Sequence, residues 1–155
     1  FPSKDDLVQA VLVQAATQLG VAIEAAIRST SDDPLDRIEA VVRAVFRPAV
    51  RRPALLGLIR EVSRLSPAVG EKFQSELRPL VDRAVAYLQK EMDRGRIRQA
   101  DPRLIAGLCY ATVTGIATEP EVLRSIGWQP TTAELRRLRT ELLAFLRAAL
   151  TPTVG

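Results

Sequence analysis

Apolar positions along the chain recur at three- and four-residue steps almost from end to end, which is the period of an amphipathic helix. Leu7, Val8, Val11, Leu12, Ala15, Leu19, Ala22, Ile23 and Ala26 form the first such run. Ser3 stands before it with Asp6 three residues later, a helix start resembling a capping box. The run predicts a helix of roughly 25 residues, about 38 Å long, ending near Arg28. Asp33-Pro34 opens the second helix, with proline at the first helical position where its missing N–H costs nothing. Its stripe is Leu35, Ile38, Val41, Val42, Val45 and Phe46; it should end by Val50, with Pro48 distorting its last turn.

Pro53 opens a short third helix through Leu58 and Val62. Ser66-Pro67 opens a long fourth one carrying Val69, Phe73, Leu77, Leu80, Val81, Ala84, Leu88 and Met92. Pro79 falls inside that stripe, which resumes in phase, so a kink is expected and not a break. Gly95 is the predicted stop. Asp101-Pro102 starts a fifth helix that carries no charge from Leu104 to Thr118, and a helix apolar nearly all round is buried on most sides. Thr131 or Thr132 with Glu134 caps the sixth, whose stripe is Leu135, Leu138, Leu142, Phe145, Leu146 and Leu150. No strand pattern interrupts this order. The expected fold is all-α, six helices in one compact domain over residues 3–150.

Composition agrees: aromatics are only 5% of the 155 residues, so Leu, Val, Ile and Ala must build the core, a palette that favours packed helices. The chain has no histidine and one cysteine, Cys109. A histidine-based triad, a zinc site of the usual Cys/His type and an intrachain disulfide are therefore excluded. No enzyme, cofactor or metal is expected. Asp32, Asp33 and Asp36 are more simply helix caps and dipole partners than metal ligands. There is no continuous apolar run of membrane-spanning length, about 18 residues or more, so neither a membrane partner nor a span is expected, and the localisation reads as cytoplasmic. Phe1 to Asp6 lack the basic start and apolar run of a signal peptide. The absence of an initiating Met suggests a chain that begins partway through a larger protein.

The net charge of +4 is unevenly spread: Arg43, Arg47, Arg51, Arg52, Arg60 and Arg64 face a single acid, Glu61, within one stretch. That stretch reads either as a solvated helical rim or as a surface for a polyanion. In the second case the chain would be a helical adaptor whose arginine face binds an acidic partner.

Phe1-Pro2-Ser3-Lys4-Asp5-Asp6-Leu7 resembles the junction between the helix-turn-helix head and the first body helix of TetR-family transcriptional regulators. Arg52 to Glu61 resembles a short body helix common in that family, and Asp101-Pro102-x-Leu104 resembles the start of a small-residue-rich helix near its C-terminus. The resemblance implies that residues 1–7 are the remnant of a DNA-binding head and hinge, whose main part would precede Phe1. It implies that residues 3–94 supply pocket helices for an effector, and that residues 101–150 pair with a second subunit as a four-helix bundle. The protein would then be a ligand-responsive regulator, a homodimer that releases operator DNA when a small, mostly apolar or amphipathic effector binds. Lys4 would contact DNA phosphate. A cation in the first turn of a helix opposes the dipole, which makes sense beside a phosphate, though a solvated lysine is the plainer alternative.

The candidate effector-lining residues are Leu19, Ile23, Phe46, Leu58, Val62, Phe73, Leu77, Val81, Tyr87, Tyr110 and Thr114. Each also fits plain core, and a threonine such as Thr112 or Thr114 also fits a back-bond to its own helix. Trp128 would either close a pocket or cover a core edge. Cys109 reads as an inert buried thiol. The candidate dimer interface is Leu104, Leu108, Ala111 and Gly115 on one helix with Leu135, Leu138, Leu142 and Leu146 on the other, two stripes that a small domain would struggle to bury alone.

Overall fold

A computed structural model describes residues 3–52, 61, 64, 66–118, 123–129 and 131–154, without the side chains of residues 49, 50, 114, 117 and 118. The described residues are all-α. Five helices run in the order α1 (Lys4–Arg28), α2 (Pro34–Arg51), α3 (Pro67–Asp93), α4 (Pro102–Thr118) and α5 (Thr132–Leu150). Of the predicted short helix at 53–62, all but Glu61 lies outside the described residues.

Local chemistry sets each boundary. Ser3 Oγ accepts from the Asp6 N–H at 3.1 Å and donates to the Asp6 carboxylate at 2.7 Å, which fixes the start of α1. Asp33 caps α2 by accepting from Leu35 and Asp36 at 2.9 and 3.1 Å. Asp101 serves α4 and Thr131 serves α5 in the same way. These caps satisfy N–H groups that have no partner inside the helix. α2 runs through Pro48 and ends at Arg51, one residue past the expected limit, and α3 continues through Pro79.

Gly95 ends α3 with φ +71°. Its N–H bonds to the Met92 carbonyl and the Arg96 N–H to the Glu91 carbonyl, at 2.9 and 3.0 Å, the paired bonds of a Schellman stop. The apolar clasp usual at such a stop is replaced here by an ion pair, Arg96 Nε to Glu91 Oε2 at 2.6 Å.

α2 is the central element. It returns along α1 and packs on α4 and α5, while α3 packs on α1 and α4. One core cluster joins Val42 and Phe46 of α2, Val113 of α4, and Leu142, Leu143 and Leu146 of α5. A second, toward the end of the domain where α3 stops, holds Leu88, Met92, Ile97, Ile105 and Leu150. Cys109 packs against both clusters, and burial pushes its thiol pKa up, so it is an inert thiol in this setting.

α1 differs from the others. It is long and apolar enough to cross a membrane by length and composition, although the sequence holds no unbroken apolar run. It nevertheless lies along α2 and α3, burying Leu12 and Ala16. Gly20 faces Leu80 of α3 and Glu24 pairs with Arg83 at 2.6 Å, so α1 and α3 run parallel.

Candidate functional site

Leu19 and Ile23 of α1 and Phe73 and Leu77 of α3, predicted as lining residues, lie on two helices that pack on each other. Leu19, Ile23 and Phe73 are partly buried there and Leu77 is buried. Tyr87 adds a polar group: its hydroxyl is fully buried and makes no hydrogen bond of ordinary geometry among the described residues, with the Arg37 guanidinium near enough to act on it. Burial pushes its pKa up, the Glu91 carboxylate adds to the rise, and Arg37 offsets part of it. A buried hydroxyl without a well-formed hydrogen bond forfeits about 1–3 kcal/mol of solvation. Tyr87→Phe should therefore leave stability unchanged or raise it by about 1 kcal/mol, and denaturant titration reads this directly.

Other predicted wall positions sit elsewhere. Phe46 is 2% exposed and locked among α4 and α5 side chains, so it is core packing. Val81 is 42% exposed and Tyr110 51%, which turns both away from the interior. Helix spacing alone hid this, because α3 and α4 carry apolar residues on more than one face. Thr112 donates to the Leu108 carbonyl at 2.7 Å, the back-bond that spacing allows. Leu58, Val62 and the Thr114 side chain lie outside the described residues. Trp128 is partly buried in the turn before α5. A surface cleft of about 220 Å³ is bounded by Glu24, Ile27, Arg28 and Arg83, none of them a predicted lining residue. The Arg83 guanidinium there holds the Glu24 carboxyl below its ordinary value.

The end of the domain where α3 stops carries a polar network with no signature in the spacing. Glu91 is buried and receives Arg96 at 2.6 Å and Arg94 at 3.5 Å. Arg96 also reaches Asp32, at 3.8 Å, and Arg37 holds Asp32 at 3.1 Å. A second knot ties α5 to α2: Arg147 donates to Glu39 at 2.6 Å and to Asp36 at 2.9 Å. The Arg147 pKa is raised by Glu39 and then Asp36. The Asp36 carboxyl is held low by the Ser31 hydroxyl and then Arg147.

A depressed carboxylate stabilises the fold above its unfolded pKa, near 3.9 for Asp, and that contribution is lost as pH falls through the folded value. The melting-temperature gap between the wild type and Arg147→Met should therefore be constant from neutral pH to about pH 5 and shrink below about pH 4. Among the described residues no group of three His, Cys, Asp or Glu is placed to hold a metal.

α4 and α5 present an outward face. Leu104 and Leu108 are 66% and 63% exposed, with Ala111 exposed and Gly115 partly buried beside them. A Cβ added at Gly107 or Gly115 would meet nothing within 4 Å, so this side of α4 is open. On α5 the predicted stripe splits. Leu142 and Leu146 are buried within the protomer, and Leu138 packs against the same cluster. Leu135 is partly buried, while Phe145 is 63% exposed. Successive helix positions turn by about 100°, so Phe145 faces out where Leu146 faces in. The α5 stripe was too wide for one contact, and Leu142 and Leu146 serve the core in place of an intersubunit seam. Lys4 stands exposed in the first turn of α1, beside Asp5 and Asp6.

Residues 35–149 match the family described as AefR-like transcriptional repressor, C-terminal domain. Solved structures of similar fold include the fatty acid degradation regulator FadR from Bacillus halodurans, at 16% identity and a TM-score of 0.73, over 94% of this chain and 72% of that one. A TetR transcription regulator from Haloarcula marismortui superposes with a TM-score of 0.74 at 18% identity, over 97% and 81%. A putative TetR-family regulator from Mesorhizobium loti superposes at 0.71 with 20% identity, over 97% and 77%. No curated protein matches the sequence.

Proposed function

The chain belongs to the TetR family, as a C-terminal regulatory domain, and from that premise we propose that it is the effector-sensing and dimerising body of a ligand-responsive transcriptional repressor. The observation that carries the reading is the family match across α2 to α5, the helices that hold both the core and the open apolar face.

In this reading two copies pair through the outward faces of α4 and α5. Leu104, Leu108, Ala111 and Gly115 meet the partner together with Phe145, and Leu135 and Leu138 lie at the edge of the contact. A small, mostly apolar or amphipathic effector enters the interior between α1 and α3. Leu19, Ile23, Phe73 and Leu77 contact its apolar body, and the buried Tyr87 hydroxyl takes its polar group. Apolar walls with one or two placed polar groups are the usual make-up of such sites.

α1 transmits the signal. Its middle borders the interior, and its first turn, with Lys4 against DNA phosphate, adjoins the operator-reading head. Effector and operator favour different settings of α1, so each weakens the other's binding by the same factor.

The test is calorimetric titration with straight-chain fatty acids of increasing length, the simplest amphipathic probes. Saturable binding at one site per protomer with a negative heat-capacity change is expected, and Tyr87→Phe should weaken it. Absence of saturable binding across the series would contradict an apolar effector site.

A further inference from the structure

The arginines of the α2 C-terminal turns are not absorbed by the effector or dimer sites. Arg43, Arg47 and Arg51 follow one another every four residues, so they share one side of α2 about 6 Å apart along its axis. Arg43 is turned to Glu39 at 3.5 Å. Arg47, Arg51 and Arg52 are exposed and make no ion pair among the described residues.

The fold decides where these charges point. α2 returns along α1 after a short turn, so its C-terminal end lies toward the N-terminal end of α1, where Lys4 is exposed. α3 runs parallel to α1, so its start, and Arg64 just before it, belong to the same end. Among the described residues the acids toward this end include Asp5, Asp6, Glu61 and, in the second turn of α3, the exposed Glu71. Asp6 is held by the Ser3 hydroxyl, and Glu61 pairs with Arg64 at 3.6 Å. Arg51 and Arg52 close the helix, where cations suit the dipole. Arg47 is a full turn inside, where the dipole gives it less reason to be there.

We infer that the arginine row Arg47, Arg51 and Arg52 is a sequence-independent contact for the phosphate backbone of duplex DNA, extending the contact already proposed for Lys4. The inference rests on the regulator reading in one respect: operator DNA lies beyond the N-terminal end of α1. Guanidinium groups pair with phosphate oxygens in a two-pronged geometry, and a row of them at helical spacing needs no base contact to bind. The body then adds affinity without adding sequence preference, and repositioning α1 changes whether the row reaches the backbone.

The experiment uses this 155-residue chain and a short labelled duplex of random sequence, read by fluorescence anisotropy across a salt series. Four neutralised phosphates per bound protomer give a log–log salt slope of about −3.6 for each protomer on the duplex. Arg47→Gln/Arg51→Gln/Arg52→Gln should flatten it to about −0.9 per protomer and weaken binding at least tenfold at low salt. Arg28→Gln/Lys90→Gln/Arg103→Gln removes equal charge from exposed positions at the opposite end and should change neither. No binding by the wild type at low salt, or equal losses from the two triple variants, overturns the inference. Displacement of the chain by polyglutamate as effective per charge as by unlabelled duplex overturns it in favour of an acidic protein partner. Because the duplex carries no operator, either failure leaves operator reading by a separate head unaffected.

Discussion

Replacing Leu104 and Leu108 together with glutamate should convert the proposed dimer to a monomer. Both side chains are mostly exposed on α4 within one protomer, so the double variant keeps the core that Ile105, Cys109 and Val113 build on the opposite side. Pairing buries two leucines from each subunit, and each buried leucine contributes about 1.5–3 kcal/mol. Losing all four removes roughly 6 kcal/mol or more, which weakens association by at least about four decades. The added carboxylates, facing each other across a two-fold axis, weaken it further. Sedimentation equilibrium on the variant should give a single-chain mass, with helical content by circular dichroism unchanged. A dimer of ordinary affinity in the double variant would move the interface away from α4.

The second large effect belongs to Phe46→Ala. Phe46 is packed between Val113 and the leucines of α5, and deleting such a ring costs about 3–5 kcal/mol. For a chain of this length the melting temperature should fall by about 6–20 °C. Fatty-acid binding to the protein that stays folded should change little, because Phe46 lies on the α4–α5 side of α2. Had Phe46 lined the effector site, the same substitution would enlarge a pocket at small cost in stability and change which chain lengths bind. Thermal melts and titrations on one variant separate the two roles.

Phe46 also marks how far the sequence could be read. Helix boundaries were legible because the caps are local chemistry: Ser3, Asp33, Asp101, Thr131 and Gly95 each act on the backbone within a few residues. The apolar stripes gave the all-helical class for a similar reason, since a period survives whatever the helix packs against. Facing was harder. α5 carries leucines across so wide an arc that spacing could not separate Leu142 and Leu146, which turn inward, from Phe145, which turns out. Val81 sits on an apolar stripe and Tyr110 is a polar group among apolar neighbours, features that suggest an inward place, yet both are exposed.

The ionic knots were not legible at all. Arg147 meets Glu39 and Asp36 across more than a hundred positions of sequence, and Arg96 bonds the Asp32 carbonyl across sixty-four. Only the tertiary fold brings such residues together, so no pattern of nearby residues announces them. The buried Tyr87 hydroxyl belongs to the same class. Its expected place on the inward side of its helix makes it a candidate lining residue, but the pairing of its hydroxyl is a property of the packed interior.

A dimerising regulatory body shows itself first in its mass in solution. Sedimentation equilibrium of the unaltered chain at tens of micromolar should give twice the 17.0 kDa of one protomer. A strict monomer under those conditions would leave Leu104, Leu108 and Phe145 without the partner proposed for them and contradict the account.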